Sequence, residues 1–180
     1  MRLVLTYLVA CTDPLCCAFT GGDLSILTIL NHAMISDIAF KIGDMYGAFD
    51  EDGTMVGFQA WVPPGKALFE SRDKEQLGPY IARLPTDEIK AFVLHSVELN
   101  THWCQFNFIK QEYHGKGISK AIMELPFEKS RVNGWTMALV TSDATNVPIY
   151  EHHGFVNEGH KLVHTPLDVV PLYAFVKKPE

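Results

Sequence analysis

The sequence has no excess of positive charge. Its 15 lysine and arginine residues are outnumbered by 21 aspartate and glutamate residues, which gives a formal net charge of −6. Proteins that hold nucleic acid through its phosphates usually carry a basic surplus or a basic stripe. The charge therefore argues against a nucleic-acid partner, and an anionic ligand would depend on local positive charge.

Cysteine is scarce and the apolar runs are short. None of the four cysteines lies in a Cys-x-x-Cys pair, and the eight histidines show no metal-ligand spacing. We expect no metal site and interpret the cysteines as reduced thiols of an intracellular protein. No run approaches the ~20 apolar residues that span a membrane, and the stretch before Cys11 is too short for a signal peptide. These absences predict a cytoplasmic protein with no membrane partner.

The 180 residues, 47% hydrophobic and 20% charged, suit a single globular domain over 1–180. Periodicity and turn residues predict an α/β pattern. Asp23 is expected to cap a helix. The expected helices cover 2–19, 24–42, 117–133 and 146–152, and the first of them is expected to be interrupted near Asp13 and Pro14. Two less distinct helices are expected in 66–99. The expected strands cover 45–49, 55–62, 103–109, 136–141, 155–160 and 169–176.

A polar loop with two glycines joins the expected strand 103–109 to the helix that follows. Gly115 and Gly117 allow close backbone approach and positive φ, and the first turn of a helix offers unpaired N–H groups and a positive dipole end. Lys110, Lys116 and Lys120 add local positive charge to this segment. Such a junction suits a phosphate or pyrophosphate, although a glycine-rich loop is often only a tight turn. The spacing matches neither a Walker loop nor a dinucleotide fingerprint.

The string 113–119 resembles the Gln/Arg-x-x-Gly-x-Gly/Ala signature of GNAT-superfamily N-acetyltransferases. His114 stands at the Gln/Arg position, Gly117 at the invariant glycine and Ser119 at the final small residue. The resemblance implies a single-domain GNAT-like α/β (α+β) fold with a central mixed, mostly antiparallel twisted sheet flanked by helices. It also implies an acyl-CoA-binding core at 101–160.

In that family the loop amides hold the pyrophosphate of acetyl-CoA, and the preceding strand pairs through its main chain with the pantetheine arm. Carried over by position, the strand residues are Phe108 and Ile109. The loop residues are His114, Gly115, Lys116, Gly117, Ile118 and Ser119.

A second string, 144–155, resembles the family's Asn-x-x-x-x-Tyr motif followed by Gly-Phe. Helical spacing places Asn146 and Tyr150 four residues apart on one face. The resemblance implies that Asn146 contacts the cofactor arm and that Tyr150 protonates the departing thiolate. A phenol with an unperturbed pKa of ~10 suits that role. The alternative is a packed aromatic whose hydroxyl finds a structural partner.

A general base is harder to assign. His102, His95 and Glu98 all lie in or before the expected central strand, and His102 is preferred because it begins the strand that leads to the cofactor. A lone histidine is more often structural, and many relatives use a water chain.

The sequence thus predicts an enzyme that transfers an acetyl or short acyl group from acetyl-CoA to an amine of a small molecule or peptide, by direct attack in a ternary complex. The alternative is a non-catalytic acyl-CoA-binding or sensor module. The identity of the amine, the acyl preference and association into a homodimer are left open.

Overall fold

The helices and strands follow in an order close to the one expected from the sequence. The computed structural model describes residues 14–68, 78–80, 82–87 and 100–179. The α-helices in these residues are α1 (Pro14–Thr20), α2 (Leu27–Asp37), α3 (Ile118–Asn133) and α4 (Val147–His152). The strands are β1 (Asp44–Phe49), β2 (Met55–Val62), β3 (His102–Ile109), β4 (Met137–Thr141), β5 (Val156–His164) and β6 (Val169–Lys177).

These strands form one sheet in the order β1-β2-β3-β4-β6-β5. All neighbours are antiparallel except β3 and β4, which run parallel. Parallel neighbours need a crossover, and α3 supplies it. The predicted mixed, mostly antiparallel sheet flanked by helices is therefore confirmed.

Each face of the sheet is covered by different helices. On one face, α2 and its continuation pack through Ile35 and Ile38 against Phe58 and its neighbours. On the other, α3 and α4 enclose a cluster that includes Trp61, Met123 and Tyr150. An ion pair of 2.5 Å between Lys129 of α3 and Asp44 of β1 also joins helix to sheet.

A β-bulge on β3 decides which side chains reach which face. Phe106 pairs with Ala60 and Cys104 with Trp61, so Gln105 is the extra residue. Cys104 packs in the cluster beneath α3, whereas Phe106 packs on the α2 face. The alternation is therefore reset at Gln105, and Asn107 reaches the α3 face, where its side chain contacts Ser119.

The long helix predicted at 24–42 is one continuous helical segment of three types. A 3₁₀ turn (Leu24–Ile26) leads into α2, and a π-helical turn (Ile38–Ile42) completes it. Asp23 caps the segment as predicted, because its carboxylate accepts the Ser25 amide at 3.0 Å. By length and composition alone the segment could cross a membrane, and half of it is buried within the described structure.

The predicted hairpin strands agree with β1 and β2 to within one residue at one end. The closing strands are longer than predicted, because β5 extends to His164 and pairs with β6 over its whole length. The helix expected over 2–19 is described only from Pro14. The helices expected within 66–99 lie largely outside the described residues.

Candidate active site

The parallel strands β3 and β4 pair at their beginnings and then separate. The two strands are paired only at His102 with Met137 and at Trp103 with Ala138. β3 nevertheless continues to Ile109 and β4 to Thr141. The strands therefore enclose a wedge-shaped opening, called here the β3–β4 opening, whose walls carry main-chain groups.

Strand alternation determines which main-chain groups of β3 face the opening. The Lys110 amide donates to the Val56 carbonyl of β2 at 2.9 Å, so every second residue before it also directs its N–H and C=O toward β2. Phe108 is one of these residues. Ile109 and Asn107 instead direct their main-chain groups toward the opening. Of the two strand residues predicted to pair with a cofactor arm, Ile109 has the fitting direction and Phe108 does not.

The predicted phosphate loop brings its glycines to the N-terminus of α3. Gly115 and Gly117 have φ of 73° and 76°, in the left-handed region that favours glycine. The first hydrogen bond of the helix runs from the Ala121 amide to the Gly117 carbonyl. The amides of Ile118 and Ser119 therefore precede it and keep their donor capacity. A Cβ at either glycine would meet nothing within 4 Å, so the space above the loop is open to a ligand.

The loop is anchored to neighbouring elements. The Tyr113 hydroxyl donates to Asp50 in the β1–β2 turn at 3.0 Å, and the Lys116 ammonium lies 4.5 Å from the centre of the Tyr113 ring. The hydrogen bond to the Asp50 carboxylate raises the pKa of Tyr113. The exposed His114 side chain bonds through Nε2 to the Ile109 carbonyl at 2.9 Å. His114 therefore folds back onto the end of β3 and leaves the helix N-terminus uncovered.

Tyr150 lies in α4 with its ring in the core. The ring packs against Phe175, with centroids 5.3 Å apart, and against Phe155 at 6.3 Å. Only 8% of the residue is exposed. Burial raises the pKa of Tyr150 and nearby Cys104 adds to this, whereas a hydrogen bond with the Asn107 side chain acts in the opposite direction. The phenol is thus held in its protonated form.

A chain of polar side chains connects β2 and β3 to the phosphate loop. Asn107 Oδ1 accepts from Gln59 Nε2 at 3.2 Å and from the Ser119 hydroxyl at 3.3 Å. Gln59 Nε2 also donates to the Ser119 carbonyl at 3.3 Å, and its Oε1 accepts from Trp61 Nε1 at 3.1 Å. The Ser119 hydroxyl lies 3.5 Å from His153 Nε2. We call Trp61, Gln59, Asn107 and Ser119 the amide network.

Asn146 lies in the 3₁₀ turn (Ala144–Asn146) that precedes α4, and so just before the helix in which it was expected. Its side-chain nitrogen donates to the Thr141 hydroxyl at the end of β4 at 3.1 Å. Thr141 in turn bonds to the Asp143 amide at 3.2 Å. Asn146 is therefore fixed on the β4 side of the opening, across from Ile109.

The position of His102 does not fit the predicted role of general base. The residue is fully buried, its ring lies between those of Trp61 and Trp135 at 4.8 and 5.4 Å, and Nδ1 bonds to Ser130 at 2.6 Å. Burial lowers the pKa of His102 to about 4. A base must reach the proton that it accepts, so His102 is better described as a core histidine beneath α3.

His102 leads to a prediction about acid stability. The unfolded chain takes up this proton near the ordinary pKa of 6.5, and the folded chain only near 4. Between these values the unfolded state binds more protons, so the free energy of unfolding decreases as the pH is lowered. The loss reaches about 3 kcal/mol near pH 4.

Urea unfolding at pH 7 and pH 4.5 measures this loss. The His102→Gln variant is expected to lose less stability than the parent over that interval, whatever its stability at pH 7. Equal losses in the two proteins would contradict a neutral, buried His102.

The other candidate bases, His95 and Glu98, lie outside the described residues. A cavity of about 360 Å³ opens beside the C-terminal half of α3, next to Phe127, Trp135 and Lys177. None of the loop residues 110–119 lines it, and it is separate from the β3–β4 opening.

These geometric features can be compared with those of known proteins. Residues 86–173 match the acetyltransferase (GNAT) domain family. This match assigns the region that carries both sequence motifs to the GNAT superfamily. No curated protein sequence matches it significantly.

The fold of this GNAT protein is also found in solved structures of low sequence identity. A Corynebacterium glutamicum protein described as histone acetyltransferase HPA2 and related acetyltransferase is similar with a TM-score of 0.70, at 16% identity over 99% of this chain and 89% of that one. The Drosophila melanogaster polyamine N-acetyltransferase gives 0.57, at 13% identity over 98% and 94%. A putative streptothricin acetyltransferase from Bacillus anthracis, solved with acetyl coenzyme A, gives 0.52, at 13% identity over 76% and 62%.

Three polar residues near the phosphate loop, Asn107, Gln59 and His153, could not be predicted from the sequence. Asn107 and Gln59 are single amides within apolar strands and have no motif around them. His153 has no motif around it either, and its position 3.5 Å from the Ser119 hydroxyl is seen only in the structure.

Proposed function

We propose that this protein transfers an acetyl or short acyl group from acetyl-CoA to an amine of a small molecule or peptide, by direct attack in a ternary complex. One observation carries the proposal: β3 and β4 separate after Trp103 and Ala138, and the positive-φ glycine loop that leads into α3 lies beside the opening between them. The phosphate loop follows Ile109 at the wide end of this opening, so an acyl-CoA arm lying in the opening would bring its thioester toward Tyr150.

The loop residues fit the diphosphate of CoA. The amides of Gly117, Ile118 and Ser119 lie at a helix N-terminus, which favours anions, and the exposed Lys116 and Lys120 add positive charge. The Asp50 carboxylate in the adjacent turn is occupied by Tyr113 and by the amides of Thr54 and Asp52. Gly115 contributes by the positive φ that turns the loop, and His114 by holding the loop against Ile109.

The remaining groups supply the chemistry of acyl transfer. The Ile109 amide, directed into the opening, is placed to pair with the pantetheine arm or to polarise the thioester carbonyl. Asn146 faces it from the β4 side as a second contact for the arm. The Tyr150 phenol donates its proton to the departing thiolate. An amine proton passes to water or to a base outside the described residues, because His102 is enclosed.

Two measurements test the proposal. Acetyl-CoA at ~100 times its dissociation constant is expected to stabilise the protein by ~2.7 kcal/mol in a thermal-shift experiment. A thiol-release assay with acetyl-CoA and a panel of small amines and peptide N-termini is then expected to show amine-dependent turnover.

The two measurements also separate the alternatives. Stabilisation by acetyl-CoA without turnover on any amine would assign the protein to the non-catalytic acyl-CoA-binding modules. No stabilisation by any acyl-CoA would remove both functions.

A further inference from the structure

Gln59 is a polar side chain in the middle of the otherwise apolar strand β2, and it is fully buried. An indole N–H only donates, so the Gln59 atom that accepts from Trp61 Nε1 at 3.1 Å is the oxygen. The Gln59 nitrogen therefore faces the other way, toward β3 and the first turn of α3.

Both protons of the Gln59 nitrogen have acceptors. Nε2 donates to Asn107 Oδ1 at 3.2 Å and to the Ser119 carbonyl at 3.3 Å. An amide nitrogen carries two protons, so these two bonds use its whole donor capacity. Gln59 is therefore a fully paired internal group that reaches the phosphate loop through Ser119.

Ser119 is held against the sheet at two of its atoms. Its carbonyl accepts from Gln59, and its hydroxyl donates to Asn107 Oδ1 at 3.3 Å. A hydroxyl has a single proton to donate, and in Ser119 this proton is directed to β3. The Ser119 amide, in contrast, precedes the first hydrogen bond of the helix and keeps its donor capacity.

The N-terminus of α3 has no side-chain cap of its own. The residue before the helix is Gly117, which makes no capping hydrogen bond, whereas helices commonly begin at a side chain that binds the free amides. Gly115 and Gly117 also leave the backbone of the loop conformationally permissive. The bonds from β2 and β3 to Ser119 therefore supply a restraint that the loop sequence lacks.

We propose that Gln59 and Asn107 are positioning residues for the diphosphate of acetyl-CoA. They bind the carbonyl and the hydroxyl of Ser119 and so fix the first turn of α3 in the orientation in which its amides meet the diphosphate. Ser119 then contacts the cofactor through its amide, and its hydroxyl is an internal anchor. The inference rests on the proposed function, because it assigns roles in binding the same cofactor.

Gln59→Met tests the bond to the Ser119 carbonyl, since methionine has a similar length and no donor. We expect the dissociation constant for acetyl-CoA, measured by calorimetry, to rise about ten-fold, because the loop must be ordered on binding. The single-turnover rate at saturating acetyl-CoA is expected to change by less than about two-fold, because the restraint acts on binding. A purely structural role would lower stability without changing the dissociation constant.

Gln105→Met is the matched control, since it removes an amide from the neighbouring strand β3. Gln105 contacts Trp103 and Met34 rather than Ser119. Its dissociation constant for acetyl-CoA is expected to equal that of the parent. A rise as large as in Gln59→Met would overturn the positioning role.

Ser119→Ala tests the hydroxyl, and it answers the question if Gln59→Met fails to fold, because alanine is the strongest helix former. In the parent, this change is expected to weaken acetyl-CoA binding about three-fold. In the Asn107→Ala background, the expected loss is less than about 1.5-fold, because the acceptor of the hydroxyl is already gone. Equal losses in the two backgrounds would mean that the hydroxyl contacts the cofactor directly, and would overturn its role as an anchor.

Amide hydrogen exchange without acetyl-CoA gives a readout independent of activity. The amides of Ile122 and Met123 donate to carbonyls of the first turn of α3, so they exchange when that turn opens. In Gln59→Met we expect these two amides to exchange about ten-fold faster or more. The Trp135 amide, which is bonded at the other end of α3, is the internal reference and is expected to change less. Equal acceleration at both ends, or none at Ile122 and Met123, would overturn the inference.

The measurements distinguish the two proposals. Binding of acetyl-CoA to the parent with unchanged dissociation constants in Gln59→Met and Ser119→Ala would overturn the positioning role and leave the proposed function standing. Absence of acetyl-CoA binding in the parent would overturn both.

Discussion

Replacement of Tyr150 by phenylalanine is expected to lower single-turnover thiol release about 100-fold or more, in the range found for loss of a general acid. The dissociation constant for acetyl-CoA is expected to change by less than about two-fold, because the proposed contacts with the diphosphate and the arm do not involve the Tyr150 ring. The packing against Phe155 and Phe175 is retained, because it involves only the ring.

Rapid-quench measurement of thiol release with enzyme in excess, together with calorimetric titration of acetyl-CoA, separates these effects. Tyr46→Phe is the matched control, because Tyr46 packs against the same cluster from the edge strand β1. Its turnover is expected to equal that of the parent. Turnover within a few-fold of the parent in Tyr150→Phe would mean that the phenol is a packed aromatic with a structural partner and that the general acid lies elsewhere.

The parts of the site that the sequence predicts well are those whose signals are local. Helix α3 lies between Gly117 and Gly134. These glycines have φ of 76° and 67°, and residues other than glycine rarely adopt such positive values. The strand before the loop, the loop itself and the helix after it follow within about thirty residues, and each is marked by its own residues. Tyr150 likewise lies in the short helix predicted from its motif.

The parts that the sequence misses depend on contacts between distant segments. Gln59 and Asn107 are 48 residues apart, and Gln59 and Ser119 are 60 apart. The local sequence around Gln59 or Asn107 does not predict that the two side chains are in contact. A single amide in an apolar strand does not form a motif. The amide network can therefore be recognised only in the folded structure, where β2, β3 and α3 are in contact.

His102 and Asn107 show how one bulge changes the interpretation of a strand. A regular alternation would place Asn107 on the face opposite to His102 and Cys104, away from α3. The extra residue Gln105 shifts Asn107 to the α3 face and Phe106 to the α2 face. A bulge of this kind follows from pairing with β2, so β3 alone gave no basis for assigning the polar role to Asn107.

The phosphate loop gives the second large expected effect. Gly117→Val is expected to weaken acetyl-CoA binding about 100-fold, because a β-branched residue rarely adopts the φ of 76° found here. Space is not the limitation, since a Cβ at this position meets nothing within 4 Å. When the backbone relaxes from positive φ, the amides of Ile118 and Ser119 change direction. Hydrogen bonds from two amides to a charged diphosphate, at about 1.5–3 kcal/mol each, account for a loss of this size.

Gly134→Val at the other end of α3 separates loop geometry from general destabilisation. Gly134 has a similar φ of 67° and equally open surroundings, so valine there causes comparable backbone strain in the same helix. Calorimetry is expected to show an unchanged dissociation constant for acetyl-CoA in this variant, although unfolding measurements show a similar loss of stability in both. If the two variants weaken binding equally, the loss comes from the stability of α3 as a whole, and the amides at its N-terminus do not hold the diphosphate.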